Sequence, residues 1–326
     1  MTATVRVGTC SWADETLTKV WYPPGVRSGE ERLRHYAERF TTTEANSTYY
    51  RLPDAALVAD WAQRTPPGFT MHVKAFGLMT RHHVKVEALP DDLRDAMPVD
   101  ERGRVDRPPR ELRAEVFRRF STALEPLRQT GKLGGILLQL APYVVRKPAS
   151  LDYVEWAQEQ LRGDEVFVEF RHRSWLDDEG RAETLAFLES RGLTYVVVDA
   201  PRTKARNLVP TVVARTSATA YVRFHGRNAA TWNRRTGSAA ERFDYLYSGD
   251  ELREWVPPLR ELAGEAERVY AMFNNNGRST MPSFGGLEGL DPHEVAGDPR
   301  KGLVAQAPAN AMMLRHALAD AGVPVA

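Results

Sequence analysis

The stretch EVFVEFR at residues 165–171 places a carboxylate and a guanidinium, Glu169 and Arg171, two residues apart in a run whose alternate positions Val166, Val168 and Phe170 are apolar. Side chains of a strand alternate between its two faces, so both charged groups share the face opposite the apolar set. A buried ion costs several kcal/mol unless it is paired, so such a face calls for a reason. The same period marks Glu44 and Asn46 in TTTEANS, His72 and Lys74 in FTMHVKA, and Gln139 in GGILLQL. It marks Asp199 in LTYVVVDA, Arg223 and His225 in AYVRFHG, and Asn274 and Asn276 in RVYAMFNNN. The chemistry available to this set is proton transfer beside anion recognition. Glu44, Glu169 and His225 are the candidate acid/base groups. Arg171 beside Glu169 favours an ionised Glu169, while the neutral neighbours Thr42 and Asn46 make Glu44 the more easily protonated partner. Lys74, Arg171 and Arg223 suit a phosphate or carboxylate, and Asn46, Gln139, Asp199, Asn274 and Asn276 would orient it.

These residues must be carried by elements that bring them together. Eight short apolar runs begin near residues 4, 41, 69, 134, 165, 193, 220 and 268, with crossover-length segments between them. Several of those segments have helical period, such as Leu33, Tyr36, Ala37 and Phe40, or Leu57, Val58 and Trp61. A longer one carries Leu112, Val116, Phe117, Phe120 and Leu124, and PANAMMLRHALADAG closes the chain. Alternating strand and helix signals predict an α/β protein, a (β/α)8 TIM barrel of one domain over residues 1–326 with insertions at about 82–110 and 277–305. An open doubly wound sheet is the alternative, weakened because no Gly-x-Gly-x-x-Gly turn follows any strand. The segment between the sixth and seventh runs, with Pro201 and Pro210, shows no clear helical period. In a barrel the outward face of each strand is covered by helices and the polar face looks into the lumen. The polar residues cluster toward strand C-termini, where barrel active sites open. A self-neutralising ionic network is the competing explanation, but the added amides would also need partners.

Composition narrows the classes. The chain has 326 residues, 42% hydrophobic content and a formal net charge of +1, which speaks against a dedicated polyanion binder. Nucleic acid is therefore a possible partner that the charge does not indicate; a small anionic molecule is the expected one, with no cofactor and no metal. One cysteine, Cys10, precludes an internal disulfide framework, and no basic-then-apolar leader or membrane-length apolar run is present, so a cytoplasmic, non-membrane protein is expected.

Several stretches resemble signatures of the domain-of-unknown-function-72 family: GTCSW at 8–12, WYPPG at 21–25, EANSTYYRLP at 44–53, FTMHVKA, GGILLQLAP, VEFRHRSW, YVRFHGRN, FNNN and PANAMML. They span nearly the whole chain in order. The resemblance implies a TIM barrel and candidate positions but no reaction. The family's more usual Gly-Thr-Ser-Gly-Trp stands here as Gly8-Thr9-Cys10-Ser11-Trp12, and the Gly-rich stretch between Asn276 and Pro308 is longer than is typical, either a lid or a surface insertion.

Single residues divide between chemistry and packing. Cys10 reads as a small buried hydrophobe before a nucleophile. His72 reads as a hydrogen-bonded core histidine, His172 has outward parity, and His82 and His83 read as solvated surface. Trp12, Tyr49 and Trp175 follow strand ends and suit either an aromatic wall or ordinary packing. Three function classes follow: a metal-independent hydrolase of an anionic sugar- or phosphate-containing molecule, a metal-dependent phosphodiesterase or isomerase, and a non-catalytic anion- or nucleotide-binding barrel. The metal-dependent class would use Glu44, His72, Glu169, Asp199 and His225 as ligands, resembling the endonuclease-IV and xylose-isomerase groups in architecture only. Lys74, Arg171 and Arg223 would repel a divalent ion and favour the first class.

Overall fold

In the computed structural model, which describes residues 2–203, 205–230, 232, 243–280, 290–296 and 298–326, the eight runs become eight parallel strands. They are β1 (Val5–Thr9), β2 (Thr42–Ala45), β3 (Thr70–Lys74), β4 (Leu133–Gln139), β5 (Val166–Glu169), β6 (Thr194–Asp199), β7 (Thr219–Phe224) and β8 (Arg268–Phe273). Each pairs with its sequence neighbours, and β1 closes the ring against β8. The fold is a (β/α)8 TIM barrel. Helices α1 (Gly29–Ala37), α2 (Ala55–Arg64), α3 (Arg110–Ala123), α4 (Pro148–Gln160), α5 (Arg181–Glu189), α6 (Val256–Glu265) and α7 (Gln306–Asp320) alternate with the strands. No helix of the described residues is long and apolar enough to cross a membrane.

Local chemistry sets the helix starts. Ser28 and Glu31 form a reciprocal capping box on α1, Asp54 accepts from the Ala56 N–H at the head of α2, and Pro148 opens α4. Leu33 and Tyr36 of α1, and Val58 and Trp61 of α2, are the buried faces; Leu57, expected beside them, is exposed. The expected insertion at 82–110 contains a two-stranded antiparallel ribbon pairing Val84–Lys85 with Arg104–Val105. In the 277–305 stretch Arg278–Thr280 pairs with Leu303–Ala305, while 281–289 and 297 lie outside the described residues.

The lumen is filled from below by rings. Phe167 of β5 stacks on Tyr221 of β7 with centroids 4.6 Å apart, and His72 of β3 sits edge-on to Tyr221 and Tyr270 at 4.9 and 4.3 Å. That layer is the plug that forces anything polar upward. The register also corrects one expectation. Val198 pairs with Arg223 and Asp199 with Phe224, so Asp199 shares the outward face of Phe224 and does not enter the lumen. There it accepts from Trp255 Nε1 at 2.8 Å, the Tyr247 hydroxyl at 2.9 Å and Arg227 Nη2 at 2.7 Å. The physical reason is that Val196-Val197-Val198 is apolar on both faces and carries no alternation from which a side can be read.

Close approach of β1 to β2 depends on Gly8, where a Cβ would stand 2.3 Å from the Thr42 carbonyl oxygen. Gly8→Ala is expected to cost at least about 2 kcal/mol in a denaturant melt, because backbone must move. Gly29→Ala, which meets nothing within 4 Å at the head of α1, is expected to be neutral or slightly stabilising.

Candidate functional site

Above the aromatic plug lies a layer of buried charge. Arg223, from β7, reaches across the lumen: its Nη2 donates to Glu44 Oε1 of β2 at 2.7 Å and its Nη1 to Glu169 Oε2 of β5. The Tyr221 hydroxyl donates to the other Glu44 oxygen at 2.9 Å. Glu44, Glu169, Arg223 and His225 are each 0% exposed. Burial by itself would raise the Glu169 carboxyl, but Arg223, His225 and Arg171 outweigh it and hold it well below the usual carboxylate range.

His225 is wired into this layer at both nitrogens. Its Nδ1 lies 3.0 Å from Asn274 Nδ2 and its Nε2 3.1 Å from Glu169 Oε1. The amide must donate and the carboxylate must accept, so Nε2 carries the proton and Nδ1 is the basic nitrogen. Burial is the largest cause that lowers the imidazole to about 4, so it is neutral at pH 7 although Glu169 pulls the other way. Phe243 and Trp232 pack over the ring at 5.5 and 6.4 Å.

The cavity opens above this floor. It encloses about 640 Å³ and is lined from the expected set by Asn46, Lys74, Gln139, Arg171, Asn274 and Asn276. That volume is in the range of small-molecule sites. The half-buried Lys74 lays its ammonium over the Tyr49 ring, 4.6 Å from the centroid, and no carboxylate among the described residues lies within ion-pair distance of it. Desolvation, helped by Arg223, lowers its pKa to about 8 against the pull of Glu44 and Glu169. Arg171, 14% exposed in its side chain, donates to Glu169 Oε1 at 3.3 Å and lies over the Trp232 ring at 5.3 Å.

The mouth is thus stratified: six expected residues line the cavity, four lie sealed beneath it, and Asp199 lies outside the sheet. Glu44, expected among neutral neighbours, instead accepts from the buried Arg223 guanidinium and the Tyr221 hydroxyl. Glu169 takes its closest bond from Arg223, not from Arg171. The five proposed metal ligands do not converge. Asp199 faces the helices, and His72 is enclosed by three rings with neither nitrogen hydrogen-bonded among the described residues. No group of three or more His, Cys, Asp or Glu among those residues is arranged to hold a metal ion.

Other residues were missed or misplaced by pattern alone. Tyr221 shares the parity of Arg223, so the alternation that found one contained the other. His82, expected on the surface, lines the cavity, accepts from or donates to Thr80 Oγ1 at 2.9 Å, and is pushed to about 3 chiefly by burial. His72 is in the core but not hydrogen-bonded as expected. Trp12 and Tyr49 line the cavity, whereas Trp175 is buried against Phe170 at 4.3 Å. Cys10 is fully buried and its thiol is pushed up by that burial. Asp14, in the loop after β1, also lines the cavity, and no periodicity signalled it. Ser11 occupies the family's usual glycine position with φ of 140°, a conformation that favours glycine.

Comparison with known proteins agrees with this architecture. The family described as "Protein of unknown function DUF72" matches residues 6–283. UPF0759 protein YunF of Bacillus subtilis (strain 168) is 29% identical over 276 residues, covering 83% of this chain and 89% of that protein. A DUF72 family protein of Thermotoga maritima MSB8 superposes with a TM-score of 0.70 at 28% identity, over 97% of this chain and 99% of that one. One from Enterococcus faecalis V583 gives a TM-score of 0.72 at 20% identity, over 97% and 96% of the two chains, and that likeness speaks to the fold.

The buried layer makes two measurable demands. Arg223→Met removes the cation of buried Glu44 and the closer of the two guanidinium partners of Glu169, and should destabilise by about 3–5 kcal/mol in a denaturant melt. His72, His82 and His225 are all held well below the ordinary 6.5, at about 3, 3 and 4. On acidification the unfolded chain takes up these protons first, so stability present above about pH 6.5 is lost as pH falls toward 4. Melting temperatures measured from pH 7 to 4 should fall, and less steeply in His225→Gln.

Proposed function

The chain belongs to the DUF72 family, and from that premise we propose that its barrel mouth takes up a small sugar- or phosphate-containing anion and hydrolyses it without a metal. One observation carries the reading: two cations, Lys74 and Arg171, line the cavity, while the carboxylates of the floor, Glu44 and Glu169, are bridged by Arg223 beneath it. Lys74 and Arg171 bring positive charge to a lining that Asp14 and Glu15 also join. An incoming phosphate or carboxylate would meet a guanidinium and an ammonium already desolvated. Asn46, Gln139, Asn274 and Asn276 would orient it.

Proton transfer in this reading belongs to the Glu169–His225 pair. His225 Nδ1 is the basic nitrogen, and it is engaged by Asn274, itself a lining residue. A substrate hydroxyl or a water taking the place of the Asn274 amide would find a neutral imidazole whose other nitrogen is anchored on an ionised carboxylate. That is the arrangement of a general base whose imidazolium is stabilised as it forms. A second reading, a binding barrel without chemistry, is favoured by the full burial of all four floor groups.

Titration with inorganic phosphate and with acetate tests the anion site. Lys74→Met should weaken binding about tenfold or more, and wild-type affinity should fall as pH rises through about 8, where Lys74 loses its proton. Unchanged affinity in both experiments would sink the anion reading. A screen of phosphate and glycoside esters separates the two readings: hydrolysis that survives chelation but is lost in Glu169→Gln supports the enzyme, whereas binding without turnover by the wild type supports the binding barrel.

A further inference from the structure

The cavity lining also carries groups of opposite character. Asn46, Asn276 and Asp14 all line it, and in each one acceptor oxygen (Asn46 Oδ1, Asn276 Oδ1 and Asp14 Oδ2) is buried without a hydrogen-bond partner among the described residues. Buried acceptors are rarely left so, because an unmet one forfeits the hydrogen bond that water would give it. For two of them the orientation is settled by the remaining bonds. Asn46 Nδ2 donates to the Cys10 carbonyl at 2.8 Å and to Asn274 Oδ1 at 3.3 Å, which leaves Oδ1 as the unused end of the amide. Asp14 Oδ1 accepts from the N–H groups of Thr16 and Leu17 at 2.8 and 3.1 Å, which leaves Oδ2. One cavity therefore combines two cations, Lys74 and Arg171, with acceptors that call for donors.

We propose that the ligand is a polyhydroxylated anion: its anionic head lies between Lys74 and Arg171, and its hydroxyl groups donate to Asn46 Oδ1, Asn276 Oδ1 and Asp14 Oδ2. This rests on the anion reading above and adds the chemistry of the other end. A hydroxyl-bearing tail fits better than an ammonium one, because two of the three acceptors are neutral amides, which satisfy a neutral donor without supplying a countercharge. A purely apolar tail would leave all three acceptors unpaired and would lose the energy of satisfying them. The aromatic members of the lining, Trp12, Tyr49 and Trp232, supply apolar faces for the carbon skeleton between the two ends.

The test is a set of matched pairs measured by calorimetric titration: glycerol phosphate against propyl phosphate, and gluconate against hexanoate. The polyol member of at least one pair should bind about tenfold or more tightly than its apolar partner. That ratio should fall toward one in Asn46→Leu and Asn276→Leu, each checked for folding by its thermal melt. Binding of both members of each pair with equal affinity overturns this inference and leaves the anion site standing. Tighter binding of aminoethyl phosphate than of glycerol phosphate overturns the hydroxyl assignment. A polyol preference that persists in both variants overturns the placement of the acceptors. Failure of every probe, inorganic phosphate included, overturns the anion reading and this inference with it.

Discussion

Arg223 is the one side chain on which the mouth of this barrel depends. It is fully buried, and it joins Glu44 of β2 to Glu169 of β5 from a position on β7. Three strands far apart around the ring are thereby tied through one guanidinium. Such a bridge is a poor source of net stability, since desolvating the ions opposes most of what their attraction returns. Its value lies in geometry. The planar fork of the guanidinium gives each carboxylate a fixed direction, which no apolar filling of the same volume would do.

From that bridge the layers above and below take their character. Below, rings contributed by β3, β5, β7 and β8 exclude water and keep His72 neutral. Above, Lys74 and Arg171 line the cavity together with Asp14. His225 belongs to the same layer, holding Glu169 on one nitrogen and Asn274 on the other, so the floor and the lining form one hydrogen-bonded unit. Low dielectric strengthens each of these bonds and penalises any partial version of the network.

A second network supports the mouth from outside the sheet. Asp199 gathers Tyr247, Trp255 and Arg227, and the Tyr247 hydroxyl also accepts from the Gly226 N–H next to His225. Asn310 of α7 clasps the Tyr247 backbone by its N–H and its carbonyl and takes a further bond from Asn275 at 2.7 Å. The FNNN and PANAMML stretches thus serve one purpose: Asn274 and Asn276 line the cavity while Asn275, of opposite parity, anchors the chain that carries them.

The barrel was legible because its signals are local and repeated. Eight apolar runs separated by crossover-length segments leave few ways to bury their outward faces, and the alternation in VFVEFR or AYVRFHG states which side is which. The same alternation collected Glu44, Lys74, Glu169, Arg223 and His225 into one lumen. It failed at Asp199, where three valines in succession carry no parity, and it said nothing of Asp14 or His82, which lie on loops without period. Depth was beyond it as well. Period two tells the face of a side chain but not its height along the barrel axis relative to residues of other strands, because height depends on strand stagger and tilt. Whether Glu44 opens on the cavity or is sealed by Arg223 and Tyr221 is decided by that stagger, and only the closed tertiary structure supplies it.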